Sequence, residues 1–227
     1  MKDLILEALT TVVKVAGPVV AKFATTLVAK LPTIIETAIK VVKVVGLIIK
    51  DVAEVMDILH PNDNIEELGK KTMQEGTRPK MEDESTKDYI EYLRNEIKLD
   101  EERWKNMTPE EELQANVLGT SMVTTAISEE CDVELSPDFM MTINVLGMSS
   151  KQLSEYIKSF SENGIDSLDA LTDYLRGELS GDTKNEIHVI VKETEGKLHP
   201  DLSNGEILQE IDAMKEKMAE SNNNPVE

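Results

Sequence analysis

Cysteine is nearly missing from this chain: Cys131 stands alone among 227 residues. No intrachain disulfide forms, and no cysteine pair exists to hold zinc. Its neighbours Glu129, Glu130 and Asp132 supply no basic cluster to favour a thiolate, so it reads as an inert, partly buried residue. Aromatic residues are also scarce, with three Phe, four Tyr and one Trp. Aliphatic side chains and eleven Met must fill the core, which favours helices over a sandwich. The three histidines, His60, His188 and His199, are not spaced as a zinc pair. The sequence has no Gly-rich phosphate loop, no His-Glu-x-x-His and no Gly-x-Ser-x-Gly. Uncharged runs near the N-terminus, at 15–21 and 23–29, fall short of the ~18 apolar residues a membrane span needs. Met1-Lys2 followed by apolar residues imitates a secretion signal, but Glu7 and Lys14 interrupt it. The expected location is the cytoplasm, or outside by a route without a cleaved signal, with peripheral membrane association left open.

Basic residues are outnumbered, 24 against 44 acids, for a net charge of −20. Such a chain repels phosphate, which argues against nucleic-acid binding. The imbalance is uneven. Residues 1–60 hold seven Lys and six acids, while the remaining seventeen bases face thirty-eight acids. Two parts with different roles are expected.

What is abundant is aliphatic surface in residues 32–60, which read as one long helix. With Glu36 at zero and about 100° per residue, Glu36, Lys40, Lys43, Lys50, Asp51, Glu54 and Asp57 lie within about 120°. The remaining arc of roughly 240° carries fifteen apolar side chains, against the ~100° stripe that suffices for one-sided packing. At ~1.5–3 kcal/mol per buried aliphatic side chain, leaving fifteen in water forfeits tens of kcal/mol gross. The face needs shelter from sister helices, further copies of the chain, or lipid. The residues expected to meet that partner or membrane are Ile34, Ile35, Ile39, Val42, Val45, Ile48, Ile49 and Val52, with Lys40, Lys43 and Lys50 beside them.

The chain reads as all-α throughout. Residues 1–60 form the hydrophobic amphipathic segment, with helices over 3–16 and 18–30 separated by Gly17-Pro18, then the long helix. Residues 61–87 read as a linker with a short helix at 65–74, and 75–87 as exposed loop. Residues 88–220 form an acidic helical domain. Its helices are expected over 88–106, then from the Thr108-Pro109-Glu110-Glu111 capping box to 128. Others follow from Ser136-Pro137 to 146, from Ser149 onward, and over 167–179 capped by Asp166. Residues 182–195 fit strand and helix, with helix favoured. A last capping box, Ser203 with Glu206, precedes 207–218, and 221–227 are expected to be disordered.

No residue is assigned a catalytic, cofactor-binding or metal-binding role. His60, Asp63, Glu66 and Glu67 have the ligand types for a metal at the end of the long helix, but they read better as a helix stop followed by a dipole-favoured helix start. Asp166, Asp169 and Asp173 share a helical face without EF-hand spacing or its turn glycine. Three functions stay open. The first is a non-enzymatic helical assembly protein, a homo-oligomer or a binder of partner helices, by analogy a part of a phage-like or secretion-related particle. The second is a membrane-active effector whose N-terminal helices lie on or enter lipid. The third is an enzyme with an unrecognised site.

Overall fold

The computed structural model describes residues 15–223. The chain is all-α, with eleven helices and no strand among the described residues. The helix expected over 3–16 lies outside the described residues except for its last two positions. Two compact units divide at Glu130/Cys131.

In the first unit, α1 is Pro18–Lys30, with Pro18 in its first turn. The long helix α2 is shorter than expected, Ile35–Val55. Asp57 takes a left-handed conformation, φ 54°, and the amide of Ile58 donates back to the carbonyl of Ala53 at 2.9 Å. That reversal stops the helix and folds Ile58 and Leu59 into the core. Then come α3, Ile65–Met73, capped by Asn64, and α4, Thr86–Glu96, capped by Ser85. A four-residue turn of helix, α5, spans Glu101–Trp104. The helix expected over 88–106 is thus broken. Gln74 reaches across the gap, donating to the carbonyl of Lys98 at 2.9 Å and accepting from the amide of Asp100 at 2.8 Å. Asp100 then caps α5 through the amide of Arg103.

The centre of this unit is α6, Pro109–Cys131, and not α2. Every residue from Leu113 to Ile127 is buried. No charged residue occurs between Glu112 and Glu129, so all faces of the helix are open to packing. Its hydroxyls close on its own turns: Ser121 donates to the carbonyl of Val117 at 2.7 Å and Thr125 to that of Ser121 at 2.8 Å. These bonds satisfy polar side chains that burial would otherwise penalise. The predicted capping box is formed, with the Thr108 amide donating to Glu111 Oε2 at 2.9 Å and the Glu111 amide to Thr108 Oγ1 at 3.2 Å.

Residues 75–87 are pinned rather than free. The Arg78 guanidinium forks onto Glu84, at 2.9 and 2.6 Å, and lies over the Tyr92 ring, 4.0 Å from its centroid. Tyr89 donates to the Arg78 carbonyl at 3.0 Å. Glu129 of α6 accepts from the amide and hydroxyl of Thr86 at 2.8 and 2.7 Å. These tertiary bonds fasten a Gly- and Pro-bearing polar stretch to α4 and α6.

The second unit holds α7 (Pro137–Leu146), α8 (Ser150–Glu162), α9 (Asp169–Arg176), α10 (Gly181–Leu198) and α11 (Asn204–Asn223). The ambiguous stretch 182–195 is helical and central: α10 packs on α8, α9 and α11. Ser136, Ser149 with Gln152, and Ser203 with Glu206 make the expected N-terminal bonds. The α9 start differs from expectation. The amide of Glu134 donates to the carbonyl of Asp166 at 2.7 Å and that of Leu168 to the carbonyl of Glu134 at 3.0 Å. This isolated bridge keeps 166–168 out of the helix. Gly177, left-handed at φ 75°, ends α9 at Arg176, short of the expected 179. At the other end, α11 runs to Asn223, so 221–223 are helical, and 224–227 lie outside the described residues.

Candidate functional site

The apolar arc of α2 is divided in two. Ala38, Ile39, Val42, Val45, Gly46, Ile49, Val52 and Ala53 are buried, an inward arc of about 140° at the helical period. Ile39, Val42, Val45, Ile49 and Val52, all expected at a partner or membrane surface, therefore face their own unit. Ile35 and Ile48 are half-buried and Ile34 is exposed. Gly46 permits the approach to α6: a β-carbon there would stand 3.0 Å from Thr120 Oγ1.

What remains outside is a mixed strip. Val44 is 48% exposed, Leu47 63% and Val55 80%, beside exposed Lys40 and Asp51. Leu47 lies at about 20° on the helical wheel, within the charged stripe. It is the residue a search for a continuous apolar face overlooks. Five of the eight exposed large hydrophobics among the described residues, Val19, Ile34, Val44, Leu47 and Val55, belong to α1, α2 or the turn between them.

Lys43 and Lys50 leave the strip for a cleft of about 280 Å³, lined also by Gly46, Leu47, Asp63, Asn64, Ile65, Glu66 and Asn116. Its charges are paired within the chain. Lys43 meets Glu112 at 2.5 Å and Glu66 at 3.3 Å. Lys50 meets Glu54 at 2.8 Å. Glu66 also takes Lys70 at 2.6 Å and the Asn116 amide at 3.2 Å. The Glu112 hydrogen bond raises the Lys43 pKa against the opposing effect of burial. Burial opposes ionisation of Glu66, yet the bonds from Lys70 and Asn116, joined by Lys43, hold its carboxyl below the usual range. Asp63 behaves alike: burial raises its pKa, and Arg94 with the His60 amide more than reverses it. The arrangement is a structural clamp joining α2, α3, α4 and α6.

The residues considered round a metal serve other ends. Asp63 holds Arg94, Glu66 the lysines, and Glu67 Lys71 at 3.0 Å. In the second unit, Asp169 accepts from Ser136. Burial, with Glu178 nearby, raises the Asp173 pKa. No group of His, Cys, Asp or Glu able to hold a metal is found among the described residues. His188 Nδ1 lies 2.6 Å from the Tyr174 hydroxyl and His199 Nε2 lies 3.5 Å from Glu195. Cys131 is half-buried.

No helix among the described residues is long and apolar enough to cross a membrane. No protein-family model matches the chain, and neither the curated proteins nor the solved structures yield a match.

Proposed function

We propose that this is a non-enzymatic helical assembly protein that docks partner helices or further copies through the outward strip of α2 and the adjoining part of α1. The observation that carries the reading is the concentration of uncovered aliphatic side chains there: Val19, Ile34, Val44, Leu47 and Val55. Single exposed hydrophobics are ordinary, but several within two successive helices favour an interaction face. The excess of acids beyond residue 60 supports the same reading, because net charge keeps such a protein from associating indiscriminately. The test is velocity sedimentation of the intact chain over a concentration series, with hydrophobic-dye binding in parallel. Association or dye binding that disappears in Leu47→Glu/Val55→Glu supports the reading. A monomer at every concentration that binds no dye removes it.

The second reading, a membrane-active protein, draws on the exposed Lys22, Lys30 and Lys40 beside these side chains. It requires more rearrangement. The outward strip interleaves Lys40 and Asp51 with Val44 and Leu47, so the purely apolar arc reaches lipid only if α2 turns out of its unit. Leakage of anionic liposomes by the intact chain supports this reading, and intact liposomes of every composition reject it.

A further inference from the structure

We propose that the outward strip of α2 pairs with the same strip of a second copy, antiparallel, about a two-fold axis at the middle of the helix. This rests on the assembly reading and names its partner. Lys40, Val44, Leu47 and Asp51 are all exposed, and their spacing of four, three and four is that of a coiled-coil seam. An axis between Val45 and Gly46, close to the centre of Ile35–Val55, relates positions whose numbers sum to a constant. Val44 then faces Leu47 of the second copy, and Lys40 faces its Asp51, each contact occurring twice.

Charge chooses the direction. A parallel pair would set Lys40 against Lys40 and Asp51 against Asp51. The antiparallel pair converts both repulsions into ion pairs. Lys43 and Lys50 already have acids in their own chain. Neither Lys40 nor Asp51 has an ion-pair partner among the described residues, which leaves both available. On one flank of the seam lie Val41 and Ile48, half-buried in the single chain, and a second helix would cover them further. A single helix pair is small for an interface, so the dimer forms at micromolar rather than nanomolar concentration.

The experiment is sedimentation equilibrium of the intact chain across the micromolar range. Circular dichroism confirms that each variant is folded, which these exposed positions permit. Leu47→Glu is expected to raise the dissociation constant roughly tenfold or more. Lys40→Glu and Asp51→Lys, taken singly, are each expected to weaken the dimer by roughly threefold to tenfold, and the double exchange to restore it to near the parent value. Restoration is the outcome specific to this register. An assembly indifferent to Leu47→Glu, or a double exchange no better than the singles, overturns the seam and leaves the assembly reading standing. A monomer whose dye binding falls in Leu47→Glu overturns self-pairing and assigns the strip to a foreign helix. A monomer without dye binding takes down both.

Discussion

Gly69 lies so close to Ala115 that a β-carbon added to it would stand 1.9 Å from the Ala115 carbonyl oxygen. The relation is reciprocal, because a β-carbon on Gly119 would stand 1.9 Å from the carbonyl oxygen of Ile65. Helices α3 and α6 therefore cross backbone to backbone, antiparallel, through two glycines. Gly69→Ala and Gly119→Ala are each expected to destabilise the first unit by about 1–3 kcal/mol or more, because the obstacle is main chain that cannot swing away. Gly196→Ala should act oppositely. Its β-carbon would meet only Ile207 Cδ1 at 3.6 Å, and the helix interior gains about 0.5–1 kcal/mol. Denaturant unfolding of the three variants checks both signs.

The loop after α2 is anchored by one carboxylate. Asp63 accepts from Arg94 Nε at 3.1 and 2.9 Å and from Nη2 at 2.7 Å, while the His60 amide adds a bond of 2.7 Å. Asp63→Ala strands a mostly buried guanidinium and an amide, at an expected loss of about 1–3 kcal/mol. Asp63→Ala/Arg94→Met should cost less than the sum of the two single changes. Chemical denaturation of the full cycle measures that coupling, and strict additivity would show that the clamp does not act as a unit.

Acid should loosen the first unit. Glu84 is held below the usual carboxylate range chiefly by Arg78, and Asp63 and Glu66 are lowered as described. A depressed folded-state pKa gives stability that is fully present above the ordinary values of 3.8 for Asp and 4.5 for Glu. That stability is lost as pH falls through the lower folded values. Asp173 in the second unit is raised, so its protonation favours the folded form. Trp104 is the only tryptophan and lies in the first unit. Its fluorescence is expected to report a transition below pH 4.5 before the NMR signals of Tyr156 and Tyr174 in the second unit change. Simultaneous loss of both signals would contradict this.

Within the second unit, the Tyr156 hydroxyl donates to Glu195 Oε1 at 2.5 Å, and Glu195 is only 2% exposed. Burial, reinforced by the Glu195 charge, raises the Tyr156 pKa well above 10.0. Tyr156→Phe removes this bond from a buried carboxylate whose other side-chain neighbour is His199 Nε2 at 3.5 Å, and should cost about 1–3 kcal/mol. Tyr156→Phe/Glu195→Leu removes both polar groups and should recover part of that loss. Thermal melts of the single and double variants decide the matter. In the parent protein, ultraviolet titration should show Tyr156 ionising only after ordinary tyrosines have done so.

Local chemistry in this chain is strongly legible where it is self-contained. Thr108 with Glu111, Ser149 with Gln152, Ser203 with Glu206, Pro18 and Gly147 each mark a helix end from within a few residues, and those ends occur where expected. The errors lie where distant residues intervene. Asp166 has the chemistry of a cap, but its carbonyl is taken by Glu134, and α9 begins later. Residues 75–87 have the composition of a linker, but Arg78, Tyr89 and Tyr92 fasten them. The uncharged run 113–128 is the signal for the central helix α6. Its Ser, Thr, Gln and Asn content makes it look less apolar than α2, because the hydrogen bonds that permit its burial are not visible in composition.

The sequence alone determined that the chain is helical, where most helices start, and that residues 34–59 carry more aliphatic surface than one side of a globule absorbs. These follow from periodicity and capping, which act over one or two turns. Only the tertiary structure decided which part of that surface is hidden. Gly69 and Gly119 let α3 and α6 approach main chain to main chain, and Gly46 seats α2 against Thr120 and Ile65 along one arc. That leaves Val44 and Leu47 outside between Lys40 and Asp51, because shelter depends on what the far parts of the chain bring near.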